Sequence, residues 1–282
     1  MNKFNYSFHS HTFRCGHASG DIEDYVMEAI HNNFKILGVS DHVFLPGISQ
    51  PGMRGEFSLL ENYLETFNSV QKTYKNFIEL HLGFECEYIP IYMNYYRYLL
   101  ESNKVEFLIC GQHCSFDNDR NYIGYFNYSS LDNYEGIEKY KSDVIEAMKS
   151  GIFFYIAHPD LFMYTVTKIT PEIEKIVNEI VDASIKYDIP LEMNISGFGR
   201  LSIDAEHGTL GYPNEYFWKT ASQKGAKVIF GGDYHSPEAF NNQHFENLFN
   251  ILIKKSGTTF VDEKVEFERY KIKLQELLNN QK

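Results

Sequence analysis

Phe8-His9-Ser10-His11-Thr12, near the start of the chain, ends a strand-like run at residues 5–8 and sets two imidazoles two residues apart. On an extended strand, side chains alternate between faces, so His9 and His11 are expected on one face. The last stretch of this kind, Gly231-Gly232-Asp233-Tyr234-His235-Ser236, repeats the spacing with a carboxylate and an imidazole. Between them stand Cys15-Gly16-His17, Ser40-Asp41-His42, Gly83-Phe84-Glu85, Gly111-Gln112-His113 and Ala157-His158-Pro159-Asp160, most of them just after a short apolar run. Seven of the eleven histidines sit in these motifs. Neutral imidazoles together with carboxylates form the donor set of zinc, iron and manganese. Taken singly, each histidine reads more readily as a satisfied polar residue at a strand end than as a ligand; the repetition carries the signal.

Working outward, the ligand-bearing segments fall on a regular alternation. Strand-like runs lie at 36–39, 79–84, 107–110, 152–156, 191–194 and 228–230, besides the one at 5–8. Helical periodicity occupies 21–32, 59–74, 134–150, 171–187, 214–224 and 237–254. Thr170-Pro171-Glu172 and Ser236-Pro237-Glu238 each place a capping hydroxyl before proline, which marks two helix starts. Strands alternating with helices predict βα units and a parallel α/β sheet. Seven strands with ligands at their C-terminal ends, first and last included, suggest closure into a barrel whose loops converge. No linker or composition shift divides the chain, so a single domain over 1–282 is expected. Two long excursions, 46–57 and 115–133, directly follow metal-type motifs and suit lids or substrate walls. A charged amphipathic helix at 261–278 is expected on the barrel exterior.

Composition narrows the classes of function. The 282 residues are 43% hydrophobic and 16% aromatic, ample for a buried core. A net charge of -12 speaks against a phosphate-backbone footprint, so no long nucleic acid is expected as partner. It leaves room for a small phosphate ester, because bound cations reverse the local sign. No apolar run is long enough for a transmembrane helix, and Met1-Asn2-Lys3-Phe4-Asn5 leads straight into a strand, not a signal sequence. No membrane association and a cytoplasmic location are expected. The four cysteines, Cys15, Cys86, Cys110 and Cys114, contain no CxxC pair and read as reduced thiols. Cys15 and Cys114 flank candidate ligands, with ordinary packing as their expected role.

The ordered set His9-Ser10-His11, Cys15-Gly16-His17, Ser40-Asp41-His42, Gly83-Phe84-Glu85, Gly111-Gln112-His113, Ala157-His158-Pro159-Asp160 and Gly232-Asp233-Tyr234-His235 resembles the polymerase-and-histidinol-phosphatase (PHP) family. The likeness spans about residues 6–240 and points to the stand-alone histidinol-phosphatase branch. It implies a distorted (β/α)7 TIM-like barrel with two or three divalent transition-metal ions (zinc, iron or manganese) at the C-terminal ends of the strands. By position, His9, His11, Glu85 and Asp233 would hold one ion. Glu85, His113 and His158 would hold a second, with Glu85 bridging. His17, His42 and His235 would hold a third. All nine positions carry the expected residue type. The implied activity is a metal-dependent phosphomonoesterase, with L-histidinol phosphate as the small phosphorylated substrate and a hydroxide between metals attacking phosphorus.

Other groups are candidates for substrate contact. Arg200, in Asn194-Ile195-Ser196-Gly197-Phe198-Gly199-Arg200, resembles an Asn-x-Ser-Gly-x-x-Arg segment of that branch, and a planar guanidinium suits phosphate. Arg54 and Arg14 lie in loops at the same expected face. Glu87 is a candidate for the substrate amine or for support of a ligand. Asp160 is a candidate general acid or orienting group. His207, in Asp204-Ala205-Glu206-His207-Gly208, reads as part of a loop near the mouth. Asp41 reads as a structural hydrogen-bonding residue, His31 and His244 as helix-surface residues, and His81 as packed within a strand. One departure stands out: the branch often carries a basic residue soon after its His-Pro-Asp-Leu segment, whereas Leu161-Phe162-Met163-Tyr164 is uncharged. The alternatives are another phosphate ester (a nucleotide, a phosphotyrosine peptide or a phosphodiester end) or a non-catalytic metal-binding module.

Overall fold

The structure, a computed structural model, describes residues 4–280; Met1, Asn2 and Lys3 of the leading stretch read as no signal sequence lie outside the described residues. The chain divides into two compact units. The first runs to Cys86 and adds Tyr92–Ile109 and Gly231–Gln243; the second holds Glu87–Ile91, Cys110–Phe230 and the chain from His244 onward.

In the first unit the elements are β1 (Tyr6–Ser7), α1 (Ile22–His31), β2 (Ile36–Val39), α2 (Leu60–Tyr74), β3 (Glu79–Cys86), α3 (Met93–Glu101) and β4 (Phe107–Cys110). The sheet order is β1-β2-β3-β4, with β1 parallel to β2 (Tyr6 opposite Ile36) and β2 parallel to β3 (Ile36 opposite Glu79). α1 begins where its sequence predicts: Asp21 caps it, and the Asp24 carboxylate accepts from the Asp21 N–H. α3 was not expected. Its stripe of Met93, Tyr96, Leu99 and Leu100 is buried, so the helical signal was present among its tyrosines.

Two glycines open the middle of this sheet. A Cβ on Gly83 would lie 2.6 Å from the Phe107 ring, and one on Gly38 would lie 2.8 Å from the Phe8 Cα and 2.9 Å from Phe107. The large rings therefore fill space that neighbouring strands leave empty, and Phe8 meets Phe107 edge-on at 5.4 Å. Gly83→Ala should destabilise the protein by about 1–3 kcal/mol, the usual cost of overpacking. A lowered urea midpoint at constant m-value would show it; an unchanged midpoint would refute this packing account.

The second unit contains β5 (Cys114–Phe116), β6 (Tyr122–Gly124), α4 (Tyr134–Ser150), α5 (Pro171–Tyr187), β7 (Leu191–Asn194), α6 (Leu201–His207), α7 (Glu215–Lys224), β8 (Val228–Gly231), α8 (Gln243–Ser256) and α9 (Glu263–Asn279). β7 pairs with β8. Thr170 caps α5 by accepting from the Ile173 N–H, with Pro171 at the first helical position, as expected. The excursion at 115–133 is partly ordered as an antiparallel hairpin of β5 and β6.

Three expectations are corrected here. The strand expected at 152–156 forms no ladder and reduces to single parallel bridges from Ile156 to Cys110 and to Leu191. Its rings serve packing instead, with Phe154 against Phe267 and Tyr270 at 5.1 and 5.3 Å. The helix expected at 237–254 is a 3-10 turn over Pro237–Asn241 followed by α8, because Asn242 leaves helical geometry (φ -89°, ψ 88°); the Ser236 side chain caps nothing. His207 belongs to α6, not to a loop. No helix among the described residues is long and apolar enough to cross a membrane.

Candidate metal centre

The ends of β1, β2 and β3 are locked to one another and to the segment after Gly231, all within the first unit. Ser40 N–H donates to the Ser10 carbonyl, Glu85 N–H to the Asp41 carbonyl and His11 N–H to the Tyr234 carbonyl. Ser10 bridges Tyr234 in parallel fashion, and His42 bridges Glu85. These backbone bonds fix where the side chains point.

Two carboxylates stand at the centre. Glu85 Oε2 lies 3.3 Å from His9 Nε2, 3.4 Å from His11 Nε2 and 3.1 Å from His42 Nδ1. Asp233 Oδ1 lies 3.3 Å from His9 Nε2, 3.1 Å from His11 Nε2 and 3.4 Å from His235 Nδ1. The ligand atoms of His9, His11 and Asp233 fall within 4.8 Å of one another, as do those of His11, His42 and His235.

Asp233 adopts a left-handed backbone (φ 46°), as does His158 in the second unit (φ 32°). Asp233 and His235 therefore approach each other without the extended strand geometry expected of this stretch. Strained backbone of this kind at non-glycine residues concentrates at functional sites.

The donor set fits divalent cations. His11 is fully buried; its Nε2 faces both carboxylates, and its Nδ1 has no partner in hydrogen-bond geometry. Burial, with His235 alongside, lowers its pKa to about 3, which keeps the ring neutral as a ligand must be. Burial also lowers the pKa of His17. For Asp233, burial works against ionisation, but the imidazoles of His9, His235 and His11 hold the carboxyl well below its ordinary value.

His17 and His235 give the sharpest indication. His17 Nδ1 faces the Cys15 carbonyl at 3.4 Å, and His235 Nδ1 faces the Asp233 carbonyl at 3.0 Å. A carbonyl only accepts, so each Nδ1 carries the proton and each Nε2 presents a lone pair. Those two Nε2 atoms are 2.9 Å apart. Opposed lone pairs repel unless a cation joins them, either a proton shared between the rings or a metal ion; two imidazole nitrogens bound at about 2.0–2.1 Å to one ion come roughly this close. His17 is solvent-exposed, so the cluster is open on one side.

Around these ligands, Asp41 accepts from the Thr12 N–H at 2.7 Å and from its hydroxyl, the structural role expected of it. Cys15 lies within ligand distance of His11 and Asp41, but burial pushes its thiol up to about 12 and so keeps it protonated. All four cysteines are free thiols. His81 is packed in β3 between Glu79 and Glu106, at 3.0 and 2.8 Å, away from the proposed ligands. His31 and His244 are exposed on their helices.

In the second unit, the His113 and His158 rings stand 5.0 Å apart. Glu87 is buried, with Oε1 3.3 Å from His113 Nδ1, which supports that ring. His158 N–H donates to Glu192 Oε2 at 3.1 Å. Glu192, fully buried on β7, went unnoticed in the sequence although an acid inside the apolar stretch Leu191-Glu192-Met193 is itself a signal. Asp160 is fully buried and accepts from the Asn214 N–H at 2.7 Å; burial pushes its carboxyl up to about 7.

The three arginines separate. Arg14 is buried and clamps Asp21, Asn62 and Thr66, so it fastens helices and offers no open fork to phosphate. Arg54 is buried against the Val43 carbonyl and Gln50. Both were expected to contact substrate; carboxylates, amides and a carbonyl supplied by neighbouring segments claim them instead. Arg200 is half-buried in the second unit and bonds only the Tyr128 hydroxyl among the described residues, with a buried Nε lacking any hydrogen-bond partner. His207 is exposed, bonds the Ile203 carbonyl and stacks on Tyr128.

Residues 7–196 match the PHP domain family. A relative from Deinococcus radiodurans, named a probable histidinol-phosphatase, is 24% identical over 234 residues, spanning 81% of this chain and 85% of that protein. The HisK protein of Listeria monocytogenes superposes with a TM-score of 0.67 at 19% identity, over 85% of this chain and 98% of its own. The histidinol phosphate phosphatase HisK of Lactococcus lactis, solved with zinc, L-histidinol and phosphate, gives a TM-score of 0.67 at 19% identity, over 91% of this chain and 95% of its own. At such identities the structural likeness speaks for the fold.

Proposed function

The chain belongs to the PHP domain family, and from that premise we propose that it is a metal-dependent phosphomonoesterase converting L-histidinol phosphate and water to L-histidinol and phosphate. The observation that carries this reading is the convergence of Glu85 and Asp233 on His9, His11, His42 and His235. The relatives acting on histidinol phosphate supply the substrate. The reading takes His9, His11, His17, His42, Glu85, His113, His158, Asp233 and His235 as ligands of two or three ions. It also takes the family's distorted (β/α)7 barrel as the form of the whole chain, supported by the βα rhythm of the sequence and by parallel pairing inside each unit.

Divalent ions held there would lower the pKa of water and offset charge on the phosphoryl oxygens. The chain's own groups do the rest. Glu85 and Asp233 set the negative charge that draws cations into the first unit. The Nδ1–H contacts of His17 and His235 to backbone carbonyls fix the tautomers that leave Nε2 free. Arg200 binds the phosphate through its planar fork. Asp160, fully buried and bonded by the Asn214 N–H, positions the Pro159–Leu161 turn that follows His158.

A panel of phosphate esters compared by kcat/KM tests the substrate. L-histidinol phosphate should exceed a nucleoside monophosphate, phosphotyrosine and a phosphodiester by at least about 100-fold, well within what a polar recognition site achieves. A different ester in the lead would replace the substrate and leave the phosphoesterase; no turnover of any ester by metal-replete protein would remove both.

A further inference from the structure

Arg200 sits in an aromatic clasp. Its guanidinium carbon lies 4.5 Å from the Tyr164 ring and 5.2 Å from the Tyr128 ring, and the two rings meet edge-on at 5.0 Å. The Tyr128 hydroxyl accepts from Arg200 Nη2 at 2.8 Å and donates to Asp204 Oδ1 at 2.6 Å. A phenol has one proton, and the buried Asp204 carboxylate takes it, so a lone pair is left aimed at the arginine. On the other side the Tyr128 ring stacks on His207 at 4.2 Å.

The segment carrying Tyr128 is itself fastened. Asp132 accepts from the Thr167 N–H at 2.9 Å and from its hydroxyl at 2.7 Å, and Asp132 N–H donates to the Thr165 carbonyl. The Tyr164 hydroxyl donates to the Phe126 carbonyl at 3.2 Å. Only one of the five guanidinium N–H donors is taken among the described residues, so the clasp orients the group and leaves it capacity for an anion.

We propose that Tyr128, held by Asp204, is a positioning residue for phosphate recognition: it fixes the plane of the Arg200 guanidinium in advance of binding. This rests on the reading of Arg200 as the phosphate-binding cation. The gain is preorganisation, since a side chain already ordered loses less entropy when its anion arrives.

The test uses metal-replete enzyme, the ester turned over fastest in the panel, and inorganic phosphate as inhibitor, with Tyr128→Phe, Asp204→Asn, Arg200→Ala and the double variant Arg200→Ala/Tyr128→Phe. Tyr128→Phe keeps the ring and removes the hydroxyl. It should raise KM and the inhibition constant of phosphate about 5–10-fold, the scale of one ordinary hydrogen bond, with a smaller change in kcat. Asp204→Asn should shift both constants in the same direction, and Tyr128→Phe should add nothing once Arg200 is alanine. A purely structural tyrosine would lower the melting temperature and leave the phosphate constant alone, and that result overturns the proposal. So does a full multiplicative effect in the double variant. If Arg200→Ala itself leaves both constants unchanged, the phosphate-binding reading of Arg200 fails, and the role of Tyr128 falls with it.

Discussion

Glu85→Ala is expected to lower kcat/KM at least about 1,000-fold: on the proposed function the ions that Glu85 would help to hold supply several kcal/mol of charge stabilisation, and each 1.36 kcal/mol is tenfold in rate. Asp233→Ala should match it. Each carboxylate contacts three imidazoles, and they share His9 and His11. Removing either leaves neutral nitrogens with half the negative charge that attracts cations. The circular-dichroism spectrum should stay native, since the backbone bonds joining Ser10, Ser40, Glu85 and Tyr234 do not involve these side chains. Glu85→Gln, which keeps the shape and removes the charge, separates electrostatics from packing; it should be nearly as inactive as alanine. An active Glu85→Ala enzyme would contradict the central place given to this carboxylate.

Metal removal should have the second largest effect. Stripping with a chelator should abolish turnover, and zinc, iron or manganese should restore it. Stability should fall too. Glu85 is 1% exposed and Asp233 8% exposed, and without metal these buried carboxylates lose the compensation that a divalent cation gives. A ligand at 100 times its Kd stabilises the folded state by about 2.7 kcal/mol per site. For a chain of this length that corresponds to a melting temperature lower by roughly 5 °C for each ion lost. Calorimetry with and without chelator reads this directly; superimposable melting curves and undiminished activity would sink the metal-dependent account.

Much of the candidate site was legible because the motifs are local. His9 and His11 need only two-residue spacing to converge, and their rings stand 5.0 Å apart even though regular strand pairing ends at Ser7. The seam to Tyr234 and Ser40 keeps the chain extended beyond that point. Of the two capped helix starts expected, Thr170 makes its cap bond, whereas Ser236 has the residue type but makes none.

What escaped the sequence depends on partners far along the chain. Arg14 resembles a phosphate-binding arginine until Asn62 and Thr66 are seen to hold it. Tyr128 lies in the 115–133 excursion with no local signal of its role, which comes from Arg200 and Asp204, more than 70 positions away. The run at 152–156 has the composition of a buried strand, but Phe154 packs on α9 and only Ile156 makes bridges. Periodicity cannot register such contacts.

The most direct test of the central claim is elemental analysis of active protein purified without chelators or a metal-affinity tag. At least two equivalents of zinc, iron or manganese per chain are predicted, falling in step with activity when Asp233 or Glu85 is replaced. Fully active protein with no transition metal would contradict the account.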